Sequence, residues 1–130
     1  MSQSISESSG SGTPAVGLVS ARVGADGETV VHVSGALTAA NRRDLQQLVL
    51  AAVEAGARAV VVDLSETGYV DTAALGTLVM LGKRLETHGA EFRLANVNHD
   101  LRVVLRLTRL DTVLQLSPPD RPTTTLPPAA

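Results

Sequence analysis

The sequence predicts an α/β fold: a mixed, mostly parallel β-sheet that begins with an antiparallel hairpin and has helices packed on it. Alternating apolar positions run through residues 16–23 and 29–33 on either side of a Gly-Ala-Asp-Gly turn, which is typical of a hairpin. Apolar runs at 59–64, 92–97 and 113–116 predict three further strands, and the continuous run at 59–64 is typical of a strand covered on both faces. Helical patterns separate these strands, so right-handed crossovers and parallel pairing are expected.

Three stretches with apolar residues at helical spacing predict the helices between the strands. The first helix is expected to begin at Thr38, as its N-cap, and to end at Gly56. The second is expected to run from Asp71-Thr72 to Gly89, and a shorter third helix to begin near Asn98-His99. The core stripe of the second helix is expected to consist of Leu75, Leu78, Val79, Gly82 and Leu85, and that of the third of Leu101, Val104, Leu105 and Thr108.

Length and composition restrict the organisation of the chain. Of the 130 residues, 15–117 are expected to form one domain. A Ser/Gly-rich segment at 1–14 and a Pro-rich segment at 118–130 are expected to be flexible, disordered tails. No apolar run reaches the roughly 18 residues that a membrane span needs. No secretory signal is recognisable, so we expect a cytoplasmic location.

Charge and residue content argue against several classes of function. The formal net charge is −2 and the ten arginines are scattered, so no electrostatic footprint for nucleic acid is present. The absence of cysteine excludes disulfides, thiolate nucleophiles and Cys-based metal sites. With one Tyr and one Phe, the chain has almost no aromatic side chains on which bases could stack.

Side chains that could support catalysis are dispersed along the sequence. His32, His88 and His99 are expected in a strand, at a helix end and in a loop, and none has a second ligand or a carboxylate at metal-binding spacing. Neither a Gly-x-Ser-x-Gly elbow nor a Gly-rich phosphate loop occurs. We therefore expect a non-enzymatic protein without a metal or cofactor.

Asp63 ends the third strand, where the phosphoacceptor of a response-regulator receiver would lie. A receiver also needs an acidic pair after its first strand and a lysine after its last parallel strand. Here the first strand leads only to Asp26 in a turn, and the single lysine, Lys83, falls inside a helix. Asp63 is therefore expected to be a strand-end residue whose carboxylate accepts N–H groups of the following loop.

Asp71-Thr72 begins the second helix, and either residue could cap it. A phosphate on Thr72 would be tolerated at a helix N-terminus and would add about −1.5 to −2 charges to the surface there. Beside the core stripe lies a face of small residues followed by a flexible apolar one: Ala73, Gly76, Thr77 and Met80. Such a face either lets another protein approach closely or packs under a loop of this protein.

Several segments resemble those of the STAS domain family, which includes anti-sigma factor antagonists and modules of sulfate transporters. The strand that ends in Asp63-Leu64-Ser65 is followed by Tyr69-Val70 and by Asp71-Thr72-Ala73-Ala74-Leu75-Gly76. The family pattern at this last block is Asp-Ser-(Ser/Thr)-Gly-Leu-Gly. Ser34-Gly35 before the first helix and Gly89-Ala90 before a strand also match, so the resemblance covers about residues 16–116.

This resemblance implies a small STAS-type sandwich that acts by binding another protein. In the bacterial antagonists, the hydroxyl residue after the Asp is phosphorylated by a partner that is both a GHKL-type serine kinase and an anti-sigma factor. The unphosphorylated form captures this partner and frees the sigma factor, and a phosphatase resets the switch. Carried to this sequence, the phosphoacceptor is Thr72, and Asp71 is the neighbouring acid of the family. The Asp-Thr helix start and the small-residue face predict the partner-binding residues, which are Asp71, Thr72, Ala73, Gly76, Thr77 and Met80.

The sequence also departs from the family pattern. Ala73 and Ala74 replace the second hydroxyl residue and the glycine, and Thr72 stands where serine is common. The segment that corresponds to Gly-Glu-Leu-Asp reads Gly35-Ala36-Leu37-Thr38, without the two acids that lie near the partner-binding surface of antagonists. These departures keep a second interpretation open: a non-phosphorylated STAS subunit of a lipid-type ABC transport complex, or a stressosome-type scaffold.

Overall fold

The computed structural model describes residues 17–24 and 26–116. Strands and helices follow one another in the predicted order, which confirms the α/β fold. The elements are β1 (Leu18–Val23), β2 (Glu28–Ser34), α1 (Arg42–Glu54), β3 (Ala59–Glu66), α2 (Thr72–Thr87), β4 (Glu91–Ala95), α3 (His99–Leu107) and β5 (Gln115–Leu116), with a 3-10 turn at Leu110–Thr112. The predicted tails, and the outermost residues of the predicted domain, lie outside the described residues.

The five strands form one sheet in the order β1-β2-β3-β4-β5. β1 pairs antiparallel with β2, as the hairpin pattern predicted, and the remaining neighbours are parallel. One face of the sheet packs against the helices in a single hydrophobic cluster. Its fully buried members on the strands are Val31, Val33, Val60, Val62 and Leu94, and on the helices Leu45, Val49, Ala74, Leu78, Leu81, Leu85 and Leu105.

The face of β3 opposite the helices is also buried in part, although the helices cover only one face. Val61 lies on the opposite face and is only 8% exposed, yet it does not belong to the helix-covered cluster. In the sheet Val61 is paired in register with Val30 of β2 and with Arg93 of β4. Arg93 forms an ion pair with Glu28 of β2 at 2.7 Å.

The start of α1 also differs from the prediction. The helix begins at Arg42, and Thr38 opens a preceding turn instead of capping the helix. Asn41 accounts for the difference, because it is buried and satisfies three backbone groups. Its Oδ1 accepts from the N–H of Thr38 at 2.8 Å, and its Nδ2 donates to the carbonyls of Gly17 (2.9 Å) and Ala36 (3.0 Å).

The buried side of α2 is rotated relative to the predicted stripe. Its buried residues are Ala74, Thr77, Leu78, Leu81 and Leu85, whereas Leu75, Val79 and Gly82 are half-buried. The rotation follows from packing, since α2 contacts α1 as well as β4. Gly89 follows the helix with a φ of +75°, a conformation that glycine adopts without strain.

Candidate functional site

The N-terminus of α2 is held by the segment that follows β2. Leu37 and Val70 form a parallel bridge. The N–H of Leu37 donates to the carbonyl of Tyr69 at 2.9 Å, and the N–H of Asp71 donates to the carbonyl of Leu37 at 3.1 Å. Because Leu37 is fully buried, these bonds anchor the loop to the core. These bonds thereby fix the position of Thr72, the residue that follows Asp71.

Asp71 is the N-cap of α2. The sequence had left open whether Asp71 or Thr72 caps this helix. Its Oδ1 accepts a hydrogen bond from the N–H of Ala74 at 2.8 Å. Its Oδ2 accepts from the N–H of Ala39 at 3.0 Å. Both carboxylate oxygens thus bind backbone groups of this protein. A direct role of Asp71 in partner binding stays a prediction.

Thr72 is the first residue of α2, and its side chain is exposed. The N–H groups in the first turn of a helix have no acceptor within the helix, and the helix dipole favours negative charge beside them. Because Asp71 supplies the cap, the hydroxyl of Thr72 is not needed for that role. The position can carry a phosphate without disturbing the cap, and its use as a phosphoacceptor stays a prediction.

The predicted small-residue face lines a shallow groove of about 340 Å³. Ala73 and Gly76 are exposed and Met80 is half-buried. A Cβ added to Gly76 would meet no atom within 4 Å, so the space above the helix is open. Ala74, by contrast, is fully buried. Ala73 and Gly76 therefore leave the surface accessible instead of packing under a loop, whereas Ala74 belongs to the core.

Thr77 is the most enclosed of the predicted partner-binding residues, with only 3% of its surface exposed. Its Oγ1 donates to the carbonyl of Ala73 and accepts a hydrogen bond from Nη1 of Arg42, both at 3.2 Å. Thr77 therefore contributes to the wall of the groove and holds the guanidinium that borders it. The sequence did not identify Arg42 as a residue of the groove, because only the packing of α1 against α2 brings Arg42 beside it.

A second groove, of about 290 Å³, lies on the other side of Thr72, between α2, α3 and the loop that follows β3. Its apolar lining residues are Tyr69, Val70, Leu75, Leu101 and Val104, and its polar ones include Thr72, Asn98 and Asp100. Tyr69 and Val104 are 49% and 42% exposed. The prediction that Val104 belongs to the core was thus wrong. Thr72 lies between two surface grooves.

A polar cluster occupies the uncovered face of the sheet where β2 and β3 end. His32 contacts Asp63 through Nδ1 and Glu66 through Nε2, each at 3.2 Å. The bonds to Glu66 and Asp63 raise the pKa of His32. Burial raises the pKa of Asp63, but hydrogen bonds from Asn96, from Ser65 and from His32 outweigh it and leave that pKa below its ordinary value.

Asp63 also accepts from the N–H of Ser65 at 3.0 Å, as expected for a strand-end residue. The sequence did not reveal its pairing with His32. Only the register of β2 against β3 places the two residues side by side. Within 17–24 and 26–116, no three His, Cys, Asp or Glu side chains are arranged to hold a metal ion. None of the helices described there has the length and apolar character required to cross a membrane.

The sheet with its one-sided helical layer and the anchored start of α2 define a module of the STAS type. A family model with the description "Mlab, STAS domain" matches residues 21–116. The chain therefore belongs to the STAS domain family, which confirms the resemblance found in the sequence.

Several similar proteins are named as anti-sigma factor antagonists. BtrV of Bordetella bronchiseptica, whose name places it among anti-sigma factor antagonists, is 28% identical over 83 residues, or 64% of this chain and 72% of BtrV. An anti-sigma factor antagonist from Mycobacterium paratuberculosis has a similar crystal structure, with a TM-score of 0.64, 27% identity and coverage of 82% of this chain and 86% of that one. The Bacillus cell fate determinant SpoIIAA in its phosphorylated form shares the fold, with a TM-score of 0.63, 15% identity and coverage of 78% and 92%.

Proposed function

We propose that this protein is an anti-sigma factor antagonist. It binds a GHKL-type serine kinase that is also an anti-sigma factor, and phosphorylation of Thr72 releases that partner. The observation that carries the proposal is the position of Thr72, exposed at the first residue of α2 and flanked by two grooves. The similarity to BtrV and to the Mycobacterium paratuberculosis antagonist supports it.

The chemistry of the surface explains how phosphorylation would act as a switch. Ala73 and Gly76 let a partner backbone come close to α2, and the apolar groove beside Tyr69 offers contact area. A phosphate on Thr72 adds about −1.5 to −2 charges in the middle of this surface. Asp100 borders the same groove, so a partner that fits the uncharged surface would meet both repulsion and a desolvation cost.

Phosphosite mapping tests this function. The protein is incubated with ATP and each purified GHKL-type anti-sigma kinase of the source organism, and the products are analysed by mass spectrometry. We expect phosphate on Thr72 of the wild-type protein. The Thr72→Ser variant should still be phosphorylated at residue 72, and the Thr72→Ala variant should not be phosphorylated. The corresponding phosphatase is expected to remove it. Phosphate at another residue, or on none, contradicts the proposal.

A second candidate function is that of a STAS subunit in a lipid-type ABC transport complex. Ala36 and Thr38 favour it, because the acids of the antagonists are missing at these positions. In that case, the partner is a transport ATPase, and its binding needs no phosphorylation cycle. Affinity of a purified transport ATPase for this protein, unchanged by ATP and anti-sigma kinase, would favour the subunit over the antagonist.

A further inference from the structure

We infer that Arg42 docks against a carboxylate of the partner protein and so decides which partners the α2 surface accepts. The inference rests on the proposed use of this surface for binding, but not on phosphorylation of Thr72 or on the partner being a kinase. The occupant of the groove beside Ala73, Gly76 and Met80 is then an acidic side chain, Asp or Glu, on a protein surface.

Arg42 is placed for such a contact by groups of its own fold. It is the first residue of α1, and Nη1 donates to Oγ1 of the buried Thr77 at 3.2 Å. Thr77 is in turn fixed to the carbonyl of Ala73. A guanidinium has five N–H donors, so one bond to a hydroxyl orients the group and leaves donors for a carboxylate.

The charge of Arg42 is not neutralised within the part of the chain that the structure describes. None of the carboxylates there lies within ion-pairing distance of it; among the arginines described, only Arg93 forms ion pairs, with Glu28 and Glu91. Arg42 is also the charged residue among the five that line the groove. The groove therefore favours a negatively charged occupant.

The surroundings of the groove point in the same direction. Ala36 and Thr38 occupy the two positions at which the family pattern has acids, so they add no negative charge near the start of α1. Asp71 is the nearest acid along α2, and both of its oxygens already accept backbone N–H groups. The open space above Gly76 admits a side chain from outside without movement of the helix.

The experiment begins by identifying the partner directly from this groove. A photo-crosslinking amino acid of similar size replaces Met80, which lines the groove and is half-buried. Full-length protein carrying it is irradiated in cells of the source organism, and the crosslinked peptide is sequenced. The purified partner is then titrated with wild-type protein and with Arg42→Glu, Arg42→Gln, Arg42→Lys and Arg43→Glu. Arg43 is the matched control, since it is the next residue of α1, is exposed and does not line the groove.

The inference predicts a peptide with Asp or Glu near the crosslink. Arg42→Glu should weaken binding at least about tenfold, Arg42→Gln less, and Arg43→Glu less than about threefold. Reversing the partner's acid to Lys should restore the affinity of Arg42→Glu, which a merely folding-related role of Arg42 would not produce. No crosslink from residue 80, or equal losses for Arg42→Glu and Arg43→Glu, overturns the inference. Two other results would contradict the proposed function without touching this inference: a partner that is not a kinase, or the absence of phosphate on Thr72.

Discussion

The carboxylate of Asp71 accepts a hydrogen bond from the N–H of Ala39 at 3.0 Å, across 32 residues of sequence. Its other oxygen caps α2 at Ala74. One side chain thus ties the start of α2 to the segment between β2 and α1. The two elements that border the Arg42 groove are held together through this side chain as well as through the core.

The double role of Asp71 predicts a measurable loss of stability. Asp71→Ala removes the cap and the bond to Ala39, so the free energy of unfolding in urea should fall by about 1–3 kcal/mol. Asp71→Asn keeps an acceptor for Ala74 and should lose less. If the midpoint of urea unfolding is the same for Asp71→Ala and for the wild-type protein, the hydrogen bonds assigned to Asp71 do not contribute to stability.

Asn41 should be among the least replaceable polar residues of this protein. Asn41→Leu keeps the branching and the number of side-chain heavy atoms, but it leaves the carbonyls of Gly17 and Ala36 and the N–H of Thr38 without their partner. The free energy of unfolding should fall by about 2–4 kcal/mol. Gln47→Ala, at an exposed position of α1, serves as the control and should change it by less than about 0.5 kcal/mol. Similar values for the two variants would contradict the role given to Asn41.

Substitutions at Gly76 should separate stability from binding. Gly76→Ala should raise the free energy of unfolding by about 0.5–1 kcal/mol, because alanine favours the helix and its Cβ meets no atom within 4 Å. Gly76→Gln should also fold, but its long side chain enters the groove and should weaken partner binding measured by calorimetry. Normal binding by a folded Gly76→Gln protein would show that the partner does not approach this face.

The His32 cluster predicts how stability depends on pH. The pKa of His32 is raised in the folded state. The contribution of His32 to the free energy of unfolding is therefore complete below its ordinary pKa of 6.5 and is lost as the pH rises through the raised value. The lowered pKa of Asp63 acts oppositely: its contribution is present above the ordinary pKa of 3.8 and is lost as the pH falls through the lowered value.

Urea unfolding of wild-type protein at pH 6 to 9 should therefore show a decline in the free energy of unfolding that begins near pH 6.5. His32→Gln should remove this part of the decline, and Glu66→Gln should reduce it, since the bond to Glu66 is the largest cause of the raised pKa. A decline of the same size in His32→Gln would show that other groups cause it.

The sequence predicted the order of strands and helices because local periodicity carries that information. It did not predict features that depend on contacts between distant segments. The start of α1 depends on the bond from Asn41 to Gly17, and the ion pair of Arg93 with Glu28 links β4 to β2. Each of these contacts joins residues that are neighbours only in the folded chain.

The candidate site likewise contains residues that the sequence could locate and residues that it could not. Asp71-Thr72 could be located in the sequence, since a cap residue and the first residue of a helix are local features. Arg42 could not, because its position beside the groove follows from the packing of α1 on α2 and from its bond to Thr77. For the same reason, the burial of Thr77 was not visible in a helical pattern that placed it beside the core stripe.

The affinity of the anti-sigma kinase for this protein before and after phosphorylation of Thr72 tests the central claim most directly. Both forms are purified, their phosphorylation is verified by mass spectrometry, and binding is measured by calorimetry. The proposed switch predicts tight binding of the unphosphorylated form and a loss of at least about tenfold on phosphorylation, reproduced by Thr72→Glu and absent in Thr72→Val. Equal affinity of the two forms would contradict a switch at Thr72.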